Sequence, residues 1–306
     1  MRVAWIAYLD PYAYSGGGEL SQRMLIEEGR RRGHVITLSP FLRRRPQRIV
    51  RRSRLWRHLR VDWSADVFIL SNLRNAPHVG ARIPSRIIDR TLNSGRAVIH
   101  QQAWVDVCPF DLPCAGQRES CRPDCSRDFA DSLYSRARVA VFNSQMQRDA
   151  IARVLGVPLP PIQILEGPLV DADLFKPSGA QRDIDVLYVG TINADKGYYN
   201  LLERFGPDRL TFVGPNHLGE PVQGRYLGRI PHGELPAIYS RARIFAHLPR
   251  WLEPMGRTVV EAALCGCEIV VNDRVGVTSL PSDLWRDRDY VRNTAARFWE
   301  QLEAAY

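Results

Sequence analysis

The sequence predicts an α/β protein of two tandem doubly wound domains, and three observations carry that prediction. Short, nearly continuous apolar runs alternate with helical patterns, as in parallel sheets covered on both faces. The alternation breaks at a polar stretch containing Pro and Gly, Leu169 to Ile184, and then starts again. Glycines stand where several of the runs end.

The strand-like runs of the first half are RVAWIAYL, HVITLS, DVFILS, AVIHQ, RVAVFN and IQILEG. Helical patterns such as ELSQRMLIEEGRRRG and SQMQRDAIARVLG separate several of them. After the break come DVLYVG, LTFVG, RYLG, RIFAHL and EIVVND. These runs give a first Rossmann-like domain over 1–170, with a cysteine-containing insertion near 104–127, and a linker over 171–184. A second Rossmann-like domain then covers 185–306; its last helix, within RNTAARFWEQLEAAY, either stays there or crosses back onto the first. Ligands of doubly wound sheets bind beyond the carboxyl ends of the strands. The strand-end loops of both domains are therefore expected to face a central cleft.

Composition narrows the class. Hydrophobic residues make up 45% of 306, enough for packed cores. No apolar run reaches the ~20 residues of a membrane-spanning helix, and MRVAWIAYLD has no basic head or cleavage site of a signal peptide. A soluble, cytoplasmic protein is expected. The formal charge of +9 is carried by arginine, for Lys176 and Lys196 are the only lysines. Nine arginines fall in Leu42–Arg60, interleaved with Ile49, Val50, Leu55, Trp56 and Leu59. This segment, 43–60, reads either as a solvated face or as a basic amphipathic surface. The latter would meet anionic lipid at the inner membrane face or a phosphorylated acceptor. A nucleic-acid-binding protein would explain the arginines and nothing else, and no recognition motif accompanies them; no nucleic-acid partner is expected.

The strand-end loops hold the informative residues. Gly16, Gly17 and Gly18 precede Glu19 and a helix start, so unhindered amides at a helix N-terminus favour an anion there, unless the glycines only make a flexible turn. In YVGTINADKG, Gly190 and Thr191 end a strand, and Lys196 stands before a helix, either as a point charge for a diphosphate or as an ordinary exposed lysine. In WLEPMGRTVVEAALCG, a loop carrying Glu253, Met255 and Gly256 leads into a helix starting near Arg257. Its first amides suit a phosphate, and Glu261 in its first turns can accept from a ribose diol. Dipole compensation alone would account for Glu261, but not for Glu253, Gly256 and Glu261 together.

These residues resemble the family-4 retaining glycosyltransferases of the GT-B fold. The family's Glu, seven residues, Glu pattern is met by Glu253 and Glu261 with Gly256, Ala262 and Gly266. GGGE with RGHVITL, VFNSQMQRDAI, LVDADLFKP and YVGTINADKG are similar to its other segments in the same order. The resemblance implies transfer of a sugar from a nucleotide-diphosphate donor to a lipid, polysaccharide or natural-product acceptor, with retention. It implies Lys196 on the diphosphate, Glu261 on the ribose, and Glu253 with amides near Met255 and Gly256 on the sugar. Gly17 and Gly18 would close over the phosphates. His100 falls where the family often has a histidine near the reacting carbon, and otherwise reads as a core histidine capping its strand. The resemblance implies no active-site metal and no cofactor for catalysis, since lysine and amides meet the leaving group's charge. Two departures stand out. Thr191 occupies the place of an arginine that usually partners the lysine, so either Arg257 substitutes or donor binding is weaker. EGPLVD departs from the interdomain pattern, leaving Glu166 without a familiar role. A catalytically degenerate nucleotide-sugar-binding or scaffold protein of the same fold is the alternative.

Cysteines form a second constellation. Cys108, Cys114, Cys121 and Cys125 have five, six and three residues between them. In a cytoplasmic chain such a cluster points to a structural zinc, or to an iron–sulfur cluster. Reduced thiols or two disulfides are the other readings. Cys265 and Cys267 read as packed hydrophobes.

Overall fold

The computed structural model describes residues 1–13, 16–42, 60–73, 83–104, 106–108 and 127–306. The arginine-rich stretch 43–59 and the proposed metal ligands Cys114, Cys121 and Cys125 lie outside the described residues. Contacts divide the chain into two compact units, Met1–Glu166 with Ala295–Tyr306, and Gly167–Thr294.

The first unit contains β1 (Arg2–Leu9), α1 (Gly17–Arg31), β2 (Val35–Leu42), β3 (Val67–Ser71) and α2 (Ser85–Asn93). It continues with β4 (Ala97–Gln101), α3 (Arg127–Tyr134), β5 (Val139–Phe142), α4 (Gln145–Val154) and β6 (Ile162–Leu165). The sheet is parallel, in the order β2-β1-β3-β4-β5-β6. β3, β4 and β5 are buried along their whole length, as their largely apolar sequences require of strands covered on both faces, with the polar Ser71, His100 and Gln101 buried at the ends of β3 and β4. Ser144 caps α4 by accepting from the Gln147 amide at 3.2 Å.

The second unit contains β7 (Ile184–Val189), α5 (Tyr198–Phe205), β8 (Leu210–Val213), β9 (Arg225–Tyr226) and α6 (Leu235–Arg241). Then follow β10 (Ala242–His247), α7 (Arg257–Leu264), β11 (Glu268–Val271) and α8 (Arg288–Arg292). Its parallel sheet runs β11-β10-β7-β8-β9. Alternation along β7 splits the core in two. Leu187 and Val189 pack with Val259 and Val260 of α7, whereas Val186 and Tyr188 pack with Tyr198 and Leu201 of α5. Cys265 and Cys267 are buried after α7, where burial pushes their thiols up to about 12 and about 11, inert packing groups rather than nucleophiles.

The expected linker 171–184 belongs instead to the second unit. Its apolar side chains are few but anchored: Ala172, Phe175 and Ile184 lie in that unit's core, with Phe175 5.9 Å from Tyr239. The last helix, α9 (Thr294–Ala304), falls almost wholly in the first unit. Its Phe298, Trp299 and Leu302 are fully buried, and the Trp299 indole donates to the Leu25 carbonyl at 2.7 Å. Gly29 of α1 makes this packing possible, because a Cβ there would sit 2.3 Å from the Trp299 ring.

Candidate functional site

The site of the second unit follows from its strand order. β7 lies between β8 and β10, so connections leave it in opposite directions and the loops after β7 and β10 meet at the switch point. Those loops carry Lys196 and Glu253. Two glycines bring them together. Gly197 caps α5 with φ +89°, and a Cβ on it would lie 2.0 Å from the Leu248 carbonyl, so only glycine lets the first loop rest on the second. Gly256 caps α7 with φ +88°, and a Cβ there would lie 2.5 Å from Val275. Backbone bonds complete the joint: Arg250 donates to the Asp195 carbonyl at 2.8 Å, and the Glu253 amide to the Arg274 carbonyl at 2.8 Å.

In this corner Lys196 Nζ forms an ion pair with Glu253 Oε2, the two side chains being 26% and 17% exposed. The ammonium also lies 4.3 Å from the centre of the Trp251 ring. His247, at the carboxyl end of β10, approaches the same Glu253 oxygen with Nε2 at 3.6 Å. Burial pushes the Glu253 carboxyl upward, but the charge of Lys196 and the contact with His247 outweigh it and hold its pKa at about 2. Burial, aided by Lys196 and opposed by Glu253, holds His247 below the usual histidine range. Gly190 and Thr191 open the β7 loop, where the Tyr188 hydroxyl donates to the Thr191 carbonyl at 2.8 Å.

Glu261 lies one turn into α7, with a side chain only 3% exposed. Tyr239 donates to its Oε2 at 3.1 Å, and His232 contacts Oε1 at 3.1 Å. Burial acts upward on this carboxyl, and His232 and Arg257 bring it below its usual value. Arg257, the expected substitute for the arginine whose place Thr191 takes, stands beside Glu261. Its guanidinium donates to the Leu169 carbonyl and reaches Glu261 at 3.4 Å, as an i,i+4 pair on one helix face allows. Met255 is buried, its carbonyl accepting from the Val277 amide at 2.8 Å.

The first unit gathers Gly17, Gly18 and His100 at the carboxyl ends of its strands. α1 begins at Gly17, capped by extended Gly16. A Cβ on Gly18 would lie 3.1 Å from Gln102 Oε1, over a polar bed in which Gln22 donates to Gln102 at 3.2 Å. His100 has the surroundings of the core histidine that was the other reading of its position. Its side chain is 0% exposed, with Nε2 bonded to Glu166 and Nδ1 3.1 Å from Ser71 Oγ. Both ring nitrogens are consumed inside the core, between Trp5 and Phe298. Glu166 thereby gains the role its sequence context left open. Cys108 is buried beside the Trp104 turn. Among the described residues no group of three or more His, Cys, Asp or Glu is arranged to hold a metal ion. No helix among them is long and apolar enough to cross a membrane.

Sequence reasoning passed over His247, Trp251, His232 and Tyr239. Only His247 carried a readable signal, as a polar residue closing an apolar strand at its ligand-facing end.

Comparison with known structures bears on the fold. Anabaena HepE, solved in complex with UDP and glucose, matches over 98% of this chain and 95% of its own at 14% identity, with a TM-score of 0.58. Sucrose-phosphate synthase from Thermosynechococcus elongatus matches over 100% of this chain and 94% of its own at 17% identity, with a TM-score of 0.59. The fold is that of the GT-B glycosyltransferases. Residues 216–282, which span Glu253, Gly256 and Glu261, match the profile of the family described as Glycosyl transferases group 1. A 57-residue stretch is 42% identical to O-antigen chain mannosyltransferase B of Escherichia coli. That stretch is 19% of this chain and 14% of the relative's length.

Proposed function

We propose that the protein transfers a sugar from a nucleoside-diphosphate sugar to an acceptor, with retention of anomeric configuration. The observation that carries this reading is the meeting of Lys196 and Glu253 at the switch point of the second sheet. The corner sits beside the N-terminus of α7, where the amides at Gly256 and Arg257 favour anions. As the donor's glycosidic bond breaks, the sugar becomes oxocarbenium-like and the diphosphate gains negative charge. Lys196 and those amides stabilise that charge. Glu253 orients the sugar through its hydroxyls, and Glu261 holds the ribose once His232 yields part of its carboxylate. The acceptor attacks on the face from which the diphosphate departs, and the leaving phosphate takes the acceptor's proton. No carboxylate serves as nucleophile, in contrast to the close pair of retaining glycosidases. HepE has been solved with UDP-glucose, and the Escherichia coli relative is named an O-antigen chain mannosyltransferase, which supports a nucleotide-sugar donor and a lipid, polysaccharide or natural-product acceptor.

One observation favours a second reading, a donor-binding protein without turnover. Thr191 lacks the usual guanidinium, and Arg257 is committed to Leu169 and Glu261. A panel of uridine, guanosine and adenosine diphosphate sugars decides between the two. Sugar release or transfer, with the product anomer read by NMR, supports the enzyme; binding with no release, unaffected by Lys196→Ala, supports the alternative.

A further inference from the structure

The donor-site reading leaves one group of the corner idle. The His247 side chain is 4% exposed, and its Nε2 faces the same Glu253 oxygen that receives Lys196. Among the described residues its Nδ1 has no hydrogen-bond partner. A carboxylate only accepts, so the neutral tautomer that suits Glu253 is the one with its hydrogen on Nε2, which leaves Nδ1 a bare acceptor. The surroundings offer few other charges. β7 presents Tyr188, whose ring lies 5.7 Å away and whose hydroxyl stays protonated through burial. The β7 loop presents Lys196 and the β10 loop presents Glu253, while β11 places apolar Val271 opposite His247.

The next step rests on the reading that Lys196 receives the donor diphosphate. A diphosphate that takes Lys196 withdraws the counter-ion of Glu253 and adds negative charge beside it. A largely buried carboxylate stripped of its cation is costly, and a neighbouring imidazole is the side chain best able to answer by gaining charge near neutral pH. We propose that His247 takes up a proton from solvent at Nδ1 when a nucleotide-sugar donor binds, so that its imidazolium replaces Lys196 as the counter-ion of Glu253. One N–H bond forms and no other bond changes. The complex then holds more protons than the free protein, so donor affinity rises as pH falls. Between the His247 pKa values of the free and bound states, the dissociation constant changes by up to about tenfold per pH unit. His247 is in this sense a positioning residue for Glu253.

Titration calorimetry on the full chain tests this with UDP-glucose, GDP-mannose and ADP-glucose, whose diphosphates carry no proton titrating near neutrality. Binding heats measured in phosphate and in Tris should differ by the uptake of up to about one proton per donor. His247→Gln, which keeps a donor toward Glu253 without a titrating ring, should abolish that difference. Should the variant fold poorly, the wild-type affinity measured across pH gives the same answer, tightening as pH falls. Equal heats in the two buffers, uptake that persists in His247→Gln, or an affinity indifferent to pH overturns the inference and leaves the donor site standing. If none of the three sugars binds, the donor-site reading falls and the inference with it.

Discussion

Each unit places a histidine near the carboxyl end of a strand and a glutamate within reach of its Nε2, yet the two pairs behave differently. His100 and Glu166 are sealed: the ring is 0% exposed and Ser71 occupies its second nitrogen. His247 and Glu253 form an open set, with Nδ1 unmatched, Glu253 17% exposed and a lysine drawn in beside it. A closed set has no valence left for a ligand and serves the fold. An open set with surplus charge at a switch point can exchange one partner for a substrate. The contrast shows that residue type and strand position do not identify a site; the tally of satisfied atoms does.

Predictions follow from breaking each pair. His100→Ala strips Glu166 of its partner inside the core and should lower unfolding free energy by about 3–5 kcal/mol. Urea unfolding would read this, while donor affinity of the folded fraction should stay at the wild-type value; a stable variant with lost donor binding would return His100 to the site. Glu253→Gln should act chiefly on the reaction, lowering transfer about tenfold to a hundredfold, as expected when a charged hydrogen bond to the sugar is lost, while its stability cost, that of losing the charged form, should shrink as pH falls toward 2. Acid separates the pairs more gently. Glu253 has a folded pKa of about 2 against an ordinary 4.5, so the stability it contributes is present above 4.5 and lost as pH falls from there toward 2. Lys196→Met should flatten that acid slope in unfolding midpoints measured through this window, and an unchanged slope would show that the ion pair does not set the Glu253 pKa.

Much of the fold was legible because burial on both faces writes itself as unbroken apolar runs. Each quoted run coincides with a strand, from Arg2–Leu9 to Glu268–Val271, and α7 starts at the expected Arg257. The corner was legible in part: Lys196 and Glu253 each announced themselves beside a glycine. Their contact across 57 positions depends on strand order, which no local pattern states. Partner choice was the illegible layer. Arg257 could face a phosphate or its own helix, and its spacing to Glu261 already favoured the second. His100 had the strand position of a functional histidine, and only the arrival of Glu166 and Phe298 closes it. The segment 171–184 looked like a linker since a single deeply buried aromatic, Phe175, anchors it where an ordinary strand would use several apolar residues.

The most direct measurement is the affinity of UDP and GDP for the wild-type chain and for Lys196→Ala, by equilibrium dialysis at low salt. The account predicts that at least one nucleotide binds and that the substitution weakens it about tenfold or more, the share of a charge-assisted contact to phosphate. Equal affinity in the two proteins would place the diphosphate elsewhere and contradict the account.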